Sequence, residues 1–128
     1  MRLHHVQVSM PRGQEDLARR FYRDALGLTE VEKPPSLRAR GGCWFRGYDE
    51  AGAVVAEIHV GVEEPFTPAR KAHPALVVAD VAALDGLSDR IRAAGFSVSH
   101  DERTTFEGYL RFHASDAFAN RVEVLAPI

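Results

Sequence analysis

Cysteine is almost absent from this chain. The single Cys43 excludes an intrachain disulfide, so the fold must rest on its own core, and a lone thiol fits a reducing compartment. Long apolar runs are missing, and none approaches the roughly 20 residues of a membrane-spanning helix. The charged head, apolar stretch and small-residue site of a signal peptide are missing too, so the expected location is the cytoplasm. Neither sign of charge dominates: 16 Lys and Arg stand against 18 Asp and Glu, a formal net charge of −2. That balance gives no general drive towards nucleic acid or an anionic membrane. Arg38, Arg40 and Arg46 form one short basic cluster, which reads as a solvated face.

What is present is an ordinary globular composition, 45% hydrophobic and 27% charged, over 128 residues. This is one domain, residues 1–128. Residues 3–9 alternate, with Val6 and Val8 opposite His5 and Gln7, the period of a half-buried strand. From Gln14 the period changes. Leu17, Ala18, Phe21, Tyr22 and Ala25 mark an amphipathic helix, and Gly27 stands where a left-handed cap belongs. Short strands follow at Thr29–Lys33, Cys43–Arg46 and Val54–Val62, with a polar loop at 34–42. Residues 63–72 read as a connection.

The pattern then starts again. His73–Ala79 is a strand, Asp80 an N-cap, and Val81, Leu84, Leu87, Ile91 and Ala94 a helix stripe ending at Gly95. Strands at Phe96–His100, Tyr109–His113 and Asn120–Leu125 complete the chain. The interval from His5 to His73 equals that from Gly27 to Gly95, and the interval from His59 to Glu123 is only slightly shorter. Equal intervals indicate a duplicated module rather than a solenoid. The expected fold is α+β: two tandem βαβββ modules, about 1–62 and 72–128, forming a curved eight-stranded mixed sheet. A helix on one face of each half leaves the other face free, and two such faces curving together would make a cup.

Parity says which residues line those free faces. Val6, Val8, Ile58, Val60, Leu76, Val78, Leu110, Phe112, Val122 and Val124 belong under the helices. The opposite faces carry His5, Gln7, Glu57, His59, His73, Tyr109, Arg111, His113, Arg121 and Glu123. Histidine and carboxylate in place of Lys, Thr and Ser suggest a metal site, because neutral imidazole and carboxylate ligate zinc, iron, nickel and manganese. His5, His73, Glu123 and His59 are the candidate ligands. His59 is alternatively an acid–base group. His4 and His100 read as surface residues, Trp44 and Phe45 as core, and Cys43 as a small buried hydrophobe.

The segments His5–Val8, Phe21-Tyr-Arg-Asp-Ala-Leu-Gly-Leu28, His73–Asp80 and Asp116–Glu123 resemble the vicinal oxygen chelate superfamily, the glyoxalase/bleomycin-resistance/extradiol-dioxygenase group. The resemblance spans nearly the whole chain. It implies metal ligands at His5, His73 and Glu123, with His59 at the place of a fourth ligand in glyoxalase-like members or of an acid–base group in dioxygenase-like ones. It implies Glu123 and His59 as catalytic groups; strand parity adds Gln7, Glu57, Tyr109, Arg111 and His113 as the expected lining around a small substrate. It further implies one divalent ion (Zn, Fe, Ni or Mn) and a homodimer whose pockets draw on both copies. Ala117 and Ala119 depart from the usual Pro and Gly of the last turn, which should loosen it.

The expected activity is that of a metal-dependent isomerase, lyase or dioxygenase acting through two neighbouring substrate oxygens. The alternative is a non-catalytic protein that sequesters a drug or metabolite, as bleomycin-resistance-like relatives do. Retention of the histidines and carboxylate, with only 9% aromatic residues to line a groove, favours the enzyme.

Overall fold

Strand β1 runs Val6–Met10. Its core-facing Val8 and Met10 are buried, while Gln7 stays exposed. The structure is a computed structural model and describes all 128 residues, Met1 to Ile128. Helix α1 is α-helical over Glu15–Arg19 and continues as a π-helix over Arg20–Ala25. The wider turn carries Phe21, Tyr22 and Ala25 into the core. It ends at Gly27, whose φ of 89° is the left-handed cap expected from the sequence. A side chain there would meet Arg90, whose Nε and Nη2 donate to the carbonyls of Ala25 and Leu26 at 2.7 and 3.1 Å. An arginine from the second module thus caps the helix of the first.

Strands β2 (Thr29–Val31), β3 (Cys43–Tyr48) and β4 (Val54–Val62) complete the first module. The expected loop before β3 contains a 3-10 turn over Pro35–Arg40. Pro35 suits its first turn, since proline has no N–H to leave unpaired there. The second module has β5 (Ala75–Val77), α2 (Val81–Ala93), β6 (Val98–Ser99), β7 (Tyr109–Ser115) and β8 (Arg121–Pro127). Asp80 is the expected N-cap, accepting from the Ala83 N–H at 2.8 Å.

The eight strands divide into two four-stranded sheets, ordered β1-β4-β3-β2 and β5-β8-β7-β6. The two orders are identical once the second module is renumbered from one, as a duplication requires. In each, a parallel pair (β1 with β4, β5 with β8) is followed by antiparallel ladders. The expected eight-stranded surface is therefore two separate sheets, with no ladder between them. They share one core of 19 buried residues drawn from both modules, including Phe21, Tyr22, Phe45, Ile58, Leu84, Ile91, Phe112, Val122 and Val124. Each such side chain contributes about 1.5–3 kcal/mol on burial, so the shared core binds the modules without backbone pairing.

The connection at 63–72 is anchored rather than free. Phe66 packs on the core, 6.3 Å from the Phe118 ring, and Ala69 exchanges hydrogen bonds with Asn120 and Arg121.

Candidate metal centre

The strand registers decide which polar side chains meet. Directly paired residues share a sheet face. On the second sheet, Ser99 pairs with His113 and His113 with Glu123. His73 arrives just before β5, where the Glu123 N–H donates to the Pro74 carbonyl at 3.0 Å. The result is a cluster of His73, His113 and Glu123 whose ligand atoms all lie within 4.8 Å of one another. His113 and Glu123 are buried, and His73 is half-buried.

The hydrogen bonds leave this cluster poised for a cation. His73 Nδ1 lies 2.6 Å from the Lys71 carbonyl, and its Nε2 lies 3.1 Å from Glu123 Oε2. A neutral imidazole has one N–H; donated to the carbonyl, it leaves the Nε2 lone pair facing a carboxylate oxygen. Two acceptors at that distance need a proton or a metal ion between them. An Nδ1–H held by a backbone carbonyl is also the usual support of a metal-binding histidine. His113 Nε2 is buried with no hydrogen-bond partner, 3.6 Å from Glu123 Oε1. These residues therefore fit a divalent cation.

Electrostatics agree. Burial alone would raise the Glu123 pKa, but the hydrogen bond from Arg111 and the close approach of His73 outweigh it and hold the carboxyl below its usual range. Arg111 Nη1 donates to Glu123 Oε1 at 2.7 Å, and its Nη2 reaches Glu102 at 2.8 Å. Burial, then the Arg121 charge, lowers the His113 pKa and keeps that ring neutral, the form that ligates. Tyr109 and Arg111 stand against Phe106: the tyrosine ring meets it edge-on at 5.4 Å, and the guanidinium lies over it at 5.6 Å.

The first sheet carries a second polar cluster. Trp44 pairs with His59 in the β3–β4 register, and their rings stack at 3.8 Å and 1°. His5 stacks on the other side of His59 at 4.0 Å. His59 Nε2 lies 2.8 Å from Glu57 Oε1, and Arg46 Nε donates to Glu57 Oε2 at 2.8 Å. Burial, partly opposed by the Glu57 bond, lowers the His59 pKa and favours the neutral ring. Glu57 would rise on burial but is held low by its bonds to His59 and Arg46. The Gln7 amide lies over Gly61.

Of the four expected ligands, then, His73 and Glu123 stand together, while His5 and His59 stand together elsewhere. No hydrogen bond or ion pair joins the two clusters. His5, Glu57 and His73 do line one cleft of about 760 Å³ between the sheets, whose walls are mainly apolar. His113, expected only as lining, is the third member of the cation-ready group.

Three sequence expectations are corrected. Trp44 is not core; it shares parity with Arg46 on the polar face, whereas Cys43 and Phe45 are buried. Arg46 is not a free solvated charge: though its side chain is 34% exposed, it is bound to the buried Glu57. His100 is not a free surface group, because its Nε2 lies 3.0 Å from Ser88 Oγ and its ring packs 6.0 Å from Phe112. Parity could have found Trp44 and Arg46. The role of His113 needed the β7–β8 register.

The same overall fold is found in known proteins. The model of the Glyoxalase/Bleomycin resistance protein/Dioxygenase superfamily matches residues 2–124. A Bacillus anthracis protein assigned to the glyoxalase family has a similar structure, with 38% identity, a TM-score of 0.83 and 100% of both chains covered. At the level of fold alone, the chain is similar to a Frankia sp. EAN1pec glyoxylase/bleomycin resistance protein/dioxygenase domain, at 18% identity and a TM-score of 0.71 over 100% of this chain and 93% of that one. A fosfomycin resistance protein, FosX, from Listeria monocytogenes is similar in the same sense, at 13% identity and a TM-score of 0.68 over 100% and 92% of the two chains. No curated protein matches. With a family model covering nearly its whole length and a duplicated module to match, this chain belongs to the Glyoxalase/Bleomycin resistance protein/Dioxygenase superfamily.

Proposed function

We propose that this protein is a divalent-metal-dependent enzyme of isomerase, lyase or dioxygenase type, acting as a homodimer on a small substrate that presents two neighbouring oxygens. The observation that carries the reading is the His73–His113–Glu123 group, with its unpartnered His113 Nε2 and its His73 lone pair facing a carboxylate. Zinc, iron, nickel and manganese all accept this donor set. Such an ion supplies Lewis-acid polarisation of substrate oxygens when bound.

The chain's own residues do the rest. Arg111 keeps Glu123 ionised, so that it can ligate or accept a proton. Glu57, itself fixed by Arg46, orients the His59 ring, and burial keeps that ring neutral and able to act as a base. Gln7, Glu57, Tyr109, Arg111 and His113 form the substrate wall. His5 and His59 lie on an unbridged face of the first module. In the dimer that face of one copy meets the His73–Glu123 face of the other, so that His5 completes the centre.

Metal analysis of protein purified without chelators tests the reading, with one divalent ion per chain expected. In His73→Ala the affinity for that ion should fall by more than about 100-fold, above the usual loss for a mere supporting partner. A wild type without metal, or a His73→Ala variant that binds it unchanged, overturns the assignment. A second reading, a protein that sequesters an antibiotic, is favoured by the largely apolar lining of the 760 Å³ cleft. Fosfomycin and bleomycin are its first test ligands, and tight binding with no metal and no turnover would establish it.

A further inference from the structure

Two buried side-chain nitrogens in the whole chain lack a hydrogen-bond partner, His113 Nε2 and Arg121 Nε. Both residues line the same cleft, of about 450 Å³, on the polar face of the second sheet. A metal ion would satisfy the histidine. It cannot satisfy the arginine, which is a donor only and stays protonated in proteins. The partner that Arg121 lacks must be an acceptor, and for a guanidinium the best acceptor is an oxyanion.

The sheet registers place this vacancy relative to the metal centre. Ser99, His113 and Glu123 form one transverse row across β6, β7 and β8. The next row pairs Ser115 with Arg121, and Ser97 joins it through the Ser115 N–H bond to its carbonyl at 3.2 Å. Rows two residues apart on one face are separated by about 7 Å. The hydroxyls of Ser97 and Ser115, both lining the cleft, make no hydrogen bond within the chain.

Charge around Arg121 is incompletely balanced. Its nearest carboxylate, Glu102, is 3.7 Å away and is held more closely by Arg111, at 2.8 Å. A second cation stands beside it. The Arg121 N–H donates to the Ala69 carbonyl at 2.9 Å, which sets Arg70 at the rim of the same cleft, and Arg70 forms no ion pair. Asp101 and Glu102 are the acids in the lining, and Glu102 is already engaged by Arg111.

From these observations we infer that the row of Ser97, Ser115 and Arg121, with Arg70 at its rim, is an oxyanion subsite for the substrate. The substrate class is thereby narrowed to small molecules that carry a carboxylate or phosphoryl group a few bonds from the two oxygens that meet the metal. The inference rests on the proposed metal centre for what lies in the neighbouring row, but the subsite itself contains no metal ligand.

The test is calorimetric titration of inorganic phosphate, and separately of propionate, into full-length protein freed of metal by dialysis, at pH 7 and low ionic strength. Wild-type protein should bind at least one of the two, and which one identifies the phosphoryl or carboxylate source. Arg121→Gln should weaken that binding at least tenfold, Arg121→Lys less so, and Arg70→Gln several-fold. Arg23→Gln, at a distant exposed ion pair, should leave it unchanged. Metal content measured on the same variants should match wild type, so loss of the subsite and loss of the metal centre are read separately. No binding of either anion by wild type, or equal affinity in Arg121→Gln and Arg70→Gln, overturns the inference. Binding that appears only after metal is restored, and is the same in both arginine variants, also overturns it, because the anion is then simply a metal ligand. Arg70→Gln, at an exposed position, decides the matter if Arg121→Gln does not fold.

Discussion

His100 shows how a polar side chain turned towards a packed interior acquires a pH dependence. Burial first, then the charges of Arg92 and Arg103, lowers its pKa below the ordinary 6.5. His59 and His113 are lowered as well, again chiefly by burial. The unfolded chain therefore takes up protons that the folded chain refuses. Stability contributed by these rings is complete above about pH 6.5 and is lost as pH falls through their lowered values. Urea unfolding of the metal-free protein should show a decline from pH 7 to pH 5, and His100→Gln should flatten part of that slope. An unchanged slope would mean that His100 is as free in the native state as in the unfolded one. At this scale parity already separated core from polar face. It did not reveal that His113, rather than His5, stands with His73 and Glu123, because that depends on which residues are paired across strands.

At the scale of elements, the turn before β8 is the most informative. The Ala-for-Gly departure at 119 suggested a loose turn, yet the turn is tightly closed. Asp116 Oδ1 accepts from the N–H groups of Phe118 and Asn120, both at 2.8 Å, and Asp116 Oδ2 accepts from the Tyr22 hydroxyl at 2.7 Å. Ala119 instead bears the cost, as the one non-glycine residue with positive φ, at 67°. Ala119→Gly should relieve it and stabilise the protein by about 1 kcal/mol, measured by chemical denaturation. The neighbouring Asn120 is wholly buried. Its amide donates to the Ser9 carbonyl and to Asp116, and its carbonyl accepts from the Ala69 N–H. Asn120→Ala leaves those groups buried and unpaired, so a loss of roughly 3 kcal/mol is expected. A loss under 1 kcal/mol would show that water replaces the amide.

At the scale of the whole molecule, two modules share one core while their polar faces remain unbridged. If each centre is completed by a second copy, two crippled chains can repair one another. A purified mixed dimer of His5→Ala and Glu123→Ala should hold one metal ion, since one of its centres then has both residues and the other has neither. Centres built within a single chain would leave both damaged, and the mixed dimer would bind as poorly as the two parent variants. Size-exclusion chromatography with light scattering gives the oligomeric state of the same samples.

The sequence by itself determined the duplicated βαβββ order, the cap at Gly27, the N-cap at Asp80 and, Trp44 apart, the residues on each sheet face. These are consequences of local periodicity and backbone conformation, written in runs of a few residues. The tertiary structure decided that the strands form two sheets rather than one, and that Trp44 supports His59 by stacking and Arg46 supports it through Glu57. It also decided that His113 joins His73 and Glu123. Those facts depend on strand register and on packing between segments that are separate in sequence, for which no local pattern exists; His73 and Glu123, 50 residues apart, are the clearest instance.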